Sequence, residues 1–324
     1  MDYQQLLLAL LPDLLVVVAL FAALGVDYAR MRGSRLAERY QMACRISAAG
    51  LIAGLAVILV QLTQASSFTA LASMTDGQLV LNTGTLTLKA LLYAMGLGVL
   101  PLAKRDQITP QVSEYFALLL LATLGMGFVV TSRNLLGAFV ALELVSLSLY
   151  AMTVLNQAKR ASAEAALKYL TFGAVASGFL LFGLSYLYGA TEQLDPTQMT
   201  DLKHSPMLVL AYLLIFVGLG FKLALAPFHL WAPDVYQNAP TPVAGWIGSG
   251  SKIAAAALLI ALLKPVSSTL KDALIPALAA LAVLSMVVGN LGALRQTNLK
   301  RLLAYSAIAN AGYLLVGVVA FSAA

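Results

Sequence analysis

Apolar residues in this chain come in blocks of about twenty, the length needed to cross the hydrocarbon core of a bilayer, separated by short polar segments. The pattern predicts ten transmembrane helices, at 6–26, 46–65, 84–103, 114–131, 134–155, 162–189, 207–226, 243–263, 273–293 and 302–322. One stretch departs from the plain pattern: AYLLIFVGLGFKLALAPFHLWAPDVYQNAPTPVAGWIGSGSKI, residues 211–253. It carries Lys222 inside an apolar run, Pro227 five residues later and Lys252 inside the next run. Proline removes a helical hydrogen bond and crowds the preceding turn, so the seventh helix should break just past Lys222 and leave freed carbonyls beside the ammonium. A loop at 227–242 with Lys222 stretching to the interface is the competing reading.

Composition fits the pattern. Of 324 residues, 60% are hydrophobic and 10% charged, and the mean hydropathy is +0.87, which makes the chain an integral membrane protein. No basic residue precedes the first apolar run, so that run is expected to be a retained span rather than a signal peptide. The single cysteine, Cys44, excludes an intrachain disulfide and leaves no thiolate cluster for an iron–sulfur centre.

The net charge of +6 would suit an anionic partner, but its distribution tells more. Of 20 Lys and Arg, twelve fall in loops after odd-numbered spans, Lys159 and Arg301 among them, and four (Arg133, Lys203, Lys264 and Lys271) in loops after even-numbered ones. The positive-inside rule then puts the odd loops in the cytoplasm and the N-terminus outside. The basic run YARMRGSRLAER reads as a topology signal, and no nucleic-acid surface is expected.

The remaining lysines, 89, 168, 222 and 252, lie within spans, where each costs roughly 2.5–3.5 kcal/mol near the bilayer centre. Lys89 is close enough to a boundary to snorkel, and Asp13 is expected at the interface. Gly125 and Gly127 should allow close helix contact on the fourth span. Glu143 lies near the middle of the fifth span, followed by Ser146 and Ser148, and either stays protonated or meets a cation from another helix. Glu164 and Lys168 have the spacing of an intrahelical pair, and Lys168 also has the reach to meet Glu143.

His204 lies in a polar loop without metal-ligand spacing. His229, near Trp231 and Asp234, reads as a hydrogen-bonded structural histidine, since one His and one Asp are too few for a metal site. Small residues before Lys252 leave room for a neighbouring backbone or water. The Gly-x-Gly patterns follow helices rather than strands, so no nucleotide fingerprint is present. Glu143, Lys168, Lys222 and Lys252 therefore form a set of titratable groups on four successive helices, able to pass a proton by alternating pairings through water. That is translocation chemistry without a redox group.

The run PFHLWAPDVYQNAPTPV followed by GSGSK closely resembles the N-type antiporter-like membrane subunits of bacterial NADH:quinone oxidoreductase, respiratory complex I. So do SAEAALKYLTFGAVASGFLLFG, FVALELVSLSLYAMTVL and LKRLLAYSAIANAGYLLVG. The resemblance extends over essentially the whole chain and implies an all-α antiporter-like fold with a broken seventh helix. It implies N-terminal helices over 1–110, a first five-helix repeat over 111–265 and the start of a second, inverted repeat over 266–324, which is incomplete, as if the chain were truncated.

It also implies proton translocation through Glu143, Lys168, Lys222 and Lys252, with Glu164, His229 and Asp234 as secondary relay or pairing positions and Pro227 at the helix break. Asn310 stands where the family often has histidine. By the same resemblance this chain binds no cofactor, and NADH, FMN, iron–sulfur clusters and quinone belong to partner subunits. The partners would be M-, L-, K- and J-type membrane subunits in the bacterial plasma membrane. Alternatives are a subunit of a multichain Na⁺/H⁺ antiporter or membrane-bound hydrogenase, and a non-conducting scaffold.

Overall fold

A computed structural model describes residues 3–63, 78–155, 160–199, 202 and 205–323; Lys159, Lys203 and His204, all placed in loops above, lie outside them. Among the described residues the chain is helical, with ten helical segments long and apolar enough to cross a membrane. The first three are α1 (Tyr3–Val26, continued by a π turn through Met31), α2 (Leu36–Thr63) and α3 (Thr83–Asp106). Then come α4 (Val112–Thr131), α5 (Leu135–Val154), α6 (Arg160–Thr191) and α7 (Pro206–Leu223). Two short helices, α8 (Ala232–Asn238) and α9 (Thr241–Gly248), precede α10 (Gly250–Leu263), α11 (Ser268–Leu294) and α12 (Leu299–Ala323).

Polar side chains set several ends. Asn82, Asn134, Ser205 and Ser267 each accept a hydrogen bond from a first-turn amide of the helix that follows, satisfying donors that lipid cannot. The second helix begins at Leu36, ten residues before its apolar block, because its polar first turns are held from outside. Arg39 grips Asp27 through two hydrogen bonds, at 2.7 and 2.5 Å, and donates to the Pro110 carbonyl at 3.0 Å.

Close packing relies on small residues, as expected where lipid offers no hydrophobic drive between helices. A Cβ on Gly125 would stand 2.8 Å from Val145 Cγ2 and 3.0 Å from the Ala141 carbonyl, so α4 and α5 touch backbone to backbone there. Gly218 of α7 meets Leu180 of α6 in the same way. Helix α4 is the most enclosed of the ten spans and forms the centre of the bundle.

Two charges expected at the interface are instead inside. Asp13 and Lys89 are 3% and 2% exposed. Lys89 Nζ donates to Asp13 Oδ2 at 2.6 Å and Tyr93 Oη donates to Asp13 Oδ1 at 2.8 Å. The ammonium has no need to snorkel because a carboxylate from α1 neutralises it at depth. This pairing joins residues 76 positions apart and leaves no trace in the spacing along either helix.

Candidate functional site

The polar interior is built around the discontinuity between α7 and α10. Helix α7 ends at Leu223, and Ala224 takes the left-handed conformation, φ 59°. Its N–H returns to the Gly220 and Phe221 carbonyls, while Leu225 N–H reaches Gly220 O at 2.8 Å. Ala226 N–H is taken by Ser285 Oγ of α11 at 2.9 Å. The break therefore precedes Pro227, which belongs to the connector and forms a cis bond with Ala226. The expected eighth helix is itself divided at Ser249 (φ −122°, ψ −78°), between α9 and α10. Glycines flank that joint, and a Cβ on Gly250 would stand 2.7 Å from Met126 Sδ of α4.

Lys222 lies in the last turn of α7, its side chain 8% exposed. Its ammonium donates to Glu143 Oε1 at 3.1 Å, to Ser146 Oγ at 2.5 Å and to Ser177 Oγ at 3.5 Å. Ser177 also donates to Glu143 Oε1 at 2.6 Å. Three helices thus converge on one carboxylate–ammonium pair, two hydroxyls completing its polar shell. The interfacial reading of Lys222 is overturned. Beside the break the Gly220 carbonyl accepts from the Ala224 and Leu225 N–H groups, while the ammonium itself is met by carboxylate and hydroxyl oxygens.

Lys168 does not meet Glu143. It pairs with Glu164 at 2.8 Å and with Asp234 Oδ2 at 3.1 Å, and is 41% exposed. Asp234, on α8, accepts from Arg301 Nη1 of α12 at 2.9 Å through its other oxygen, and Arg301 also reaches Gln237 at 3.2 Å. Lys300 donates to the Ala239 carbonyl at 2.9 Å and Ser162 to that of Asn238 at 2.9 Å. The connector α8 is thereby held between α6 and α12 by a charged rim: two carboxylates, two ammonium groups and one guanidinium.

Lys252 is 6% exposed and donates to the Ala307 carbonyl of α12 at 2.6 Å. A cavity of about 290 Å³ lies beside it, lined by Ser249, Ser306, Asn310 and neighbouring apolar residues. Asn310 therefore faces the same space as Lys252, with its amide 3.4 Å from Ser306 Oγ. His229 lies apart from both lysines, in a groove of about 580 Å³ with Arg295, Gln296 and Tyr305. Among the described residues no group of three His, Cys, Asp or Glu could hold a metal.

Between these stations runs an aromatic column: Tyr150 edge-on to Tyr169 at 4.5 Å, Tyr169 stacked on Trp231 at 4.4 Å and 9°, and Phe221 against Trp231 at 4.9 Å. The Trp231 and Trp246 indole nitrogens and the Tyr236 hydroxyl are buried without a hydrogen-bond partner among the described residues. Such groups favour internal water. Arg301 and Ser177 were not among the sequence candidates. Arg301 was counted only as a topology charge, and the serine lies 34 residues from the carboxylate it serves.

The chain matches the transmembrane family described as NADH:quinone oxidoreductase/Mrp antiporter over residues 132–324. It is 43% identical to NADH-quinone oxidoreductase subunit N 2 of Acidobacterium capsulatum, over 98% of this chain and 67% of that protein. It is 37% identical to NADH-quinone oxidoreductase subunit N of Laribacter hongkongensis, over 97% of this chain and 64% of that one. Respiratory complex I from Thermus thermophilus with bound aureothin contains a chain that superposes with a TM-score of 0.76 at 34% identity, over 95% of this chain and 64% of that one. The Mrp complex from a Dietzia species shares the fold, with a TM-score of 0.73 at 20% identity, over 98% of this chain and 59% of the Mrp chain. The chain thus spans about two thirds of the length of these subunit N relatives.

Proposed function

The chain belongs to the NADH:quinone oxidoreductase/Mrp antiporter transmembrane family, and from that membership we propose that it is the N-type proton-translocating membrane subunit of an NADH:quinone oxidoreductase. The observation that carries this reading is the buried Glu143–Lys222 pair with its two serine hydroxyls, set at the end of a broken helix. Intramembrane ionisable groups in such a setting mark ion pathways.

In this reading the rim formed by Glu164, Lys168, Asp234 and Arg301 receives protons from the aqueous side. Lys222 holds one against Glu143. When Lys222 gives up its proton, Glu143 loses its counter-ion and Ser177 remains as a donor to the carboxylate. Lys252 takes the proton next, its ammonium meeting the Ala307 carbonyl at the edge of the Asn310 cavity. The driving chemistry, with NADH, FMN, iron–sulfur clusters and quinone, belongs to partner subunits, and M-, L-, K- and J-type chains are the proposed neighbours. The charge asymmetry of the loops supports an N-terminus outside, and the bacterial subunit N relatives support a plasma-membrane location.

Inverted membrane vesicles containing the assembled complex test the function. NADH should acidify their lumen in sodium-free buffer, and a protonophore should abolish the gradient. Acidification that requires sodium and ignores NADH would instead assign the chain to a cation/proton antiporter.

A further inference from the structure

Helix α2 carries two arginines near its start, and the protein treats them differently. Arg39 is turned inward and matched: its guanidinium holds both oxygens of Asp27 and the Pro110 carbonyl. Arg45 is exposed and makes no ion pair among the described residues. It stands about two and a half turns into the helix that begins at Leu36, at the edge of the apolar block. From there the outward face of α2 is apolar, with Ala49, Ile52 and Leu59 exposed along it at helical spacing.

The seam between α2 and α3 gathers more cations at the same level. Cys44 Sγ, next to Arg45, lies 3.8 Å from the Leu100 carbonyl of α3. One turn beyond Leu100 are Lys104 and Arg105, both exposed and without an ion pair among the described residues. The outward face of α3 repeats the pattern of α2, since Leu91 and Leu102 are exposed ahead of these cations. Arg30, Arg32 and Arg35 extend the patch from the end of α1. Nearby carboxylates are held elsewhere, Asp27 by Arg39 and Glu114 by the Tyr28 and Ser113 hydroxyls.

The Asp234 rim lies at the same end of the bundle, yet Lys168 and Arg301 there are both paired with carboxylates. A topology signal explains why cations collect at this end but not why those at the α2–α3 seam lack counter-ions. Clusters of four to eight Lys and Arg at a membrane boundary attract anionic headgroups. We propose that the α2–α3 seam binds an anionic phospholipid, its phosphate between Arg45 and Lys104 and its chains along the exposed apolar faces of the two helices. Arg105 and the α1 arginines add a weaker, general attraction. Those apolar faces, continuous with the cations, select a lipid rather than free phosphate. The site stands whether or not the chain conducts protons.

The test uses the full chain with Cys44→Ser and Ala49→Cys, labelled at residue 49 with bimane, in phosphatidylcholine vesicles. Quenching by a small fraction of brominated phosphatidylglycerol would be compared with quenching by the same fraction of brominated phosphatidylcholine. The proposal predicts association of the anionic lipid stronger by about fivefold or more, the factor carried by one Lys or Arg near an anionic headgroup. Arg45→Gln with Lys104→Gln should bring the two lipids to near equality, and Arg45→Lys should keep the preference. The control pair Arg30→Gln with Arg35→Gln should keep most of it, and excess inorganic phosphate should not remove it. Equal quenching by the two lipids in the chain with both seam cations overturns the proposal, and that comparison needs no substituted cation. An undiminished preference in the Arg45–Lys104 variant, an equal loss in the control pair, or displacement by inorganic phosphate overturns it as well.

Discussion

The Glu143–Lys222 cluster and the Asp234 rim use the same chemistry, carboxylates facing cations across helices, and differ most in how their cations are solvated. In the cluster the ammonium is 8% exposed and its carboxylate 26%, with Ser146 and Ser177 against the ammonium. At the rim Lys168, Asp234 and Arg301 are 41%, 31% and 35% exposed and Glu164 is 68%. The nearly enclosed ammonium has few alternative partners, so its pairing and its protonation are coupled. The rim is screened, and its members exchange partners with solvent at little cost. A proton path needs both, an open collecting surface and a closed site where charge decides the next step.

Mutations sharpen the contrast. The largest effect is expected from Glu143→Gln, which leaves the buried Lys222 ammonium without its counter-ion. Breaking such a pair costs about 3–5 kcal/mol, so pumping in vesicles should be lost and the assembled complex should unfold at lower temperature. Next comes Lys252→Met, which removes the ammonium on the Ala307 carbonyl while keeping its volume. Assembly should hold and pumping should fall by about tenfold or more, read as lumen acidification per NADH oxidised.

Asp234→Asn should act more mildly. It loosens α8 from both α6 and α12, so pumping should fall by about two- to fivefold, with the gap to wild type narrowing at high salt, which screens the contacts that Asp234 makes. The smallest effect belongs to Glu164→Gln, whose carboxylate is largely in water. Pumping should stay within about twofold of wild type at physiological ionic strength. A Glu164 variant as damaging as the Glu143 one would erase the distinction between rim and cluster.

Much of this architecture was legible in one dimension. Ten apolar blocks became, among the described residues, ten helical segments long and apolar enough to cross a membrane, because lipid leaves a spanning chain little choice but a helix. The break after Lys222 was also readable from its charge and the proline, although the turn is made by Ala224. The division at Ser249 was not, since GSGS among apolar residues reads as continuous helix.

What sequence order hides is pairing. Glu143 meets Lys222 across 79 residues and Asp13 meets Lys89 across 76, and neither spacing carries a periodic signal. The nearer cation on the sixth helix, Lys168, was a reasonable partner for Glu143, but its side chain is drawn to Glu164 and Asp234. Arg301 looked like one more loop charge until α12 brought it to Asp234.

The most direct test of the central claim is Lys222→Ala in the complete complex, with NADH-driven proton pumping measured in vesicles beside assembly and NADH oxidation. The account predicts an assembled complex whose pumping is abolished or nearly so. Intact assembly with undiminished pumping would contradict it.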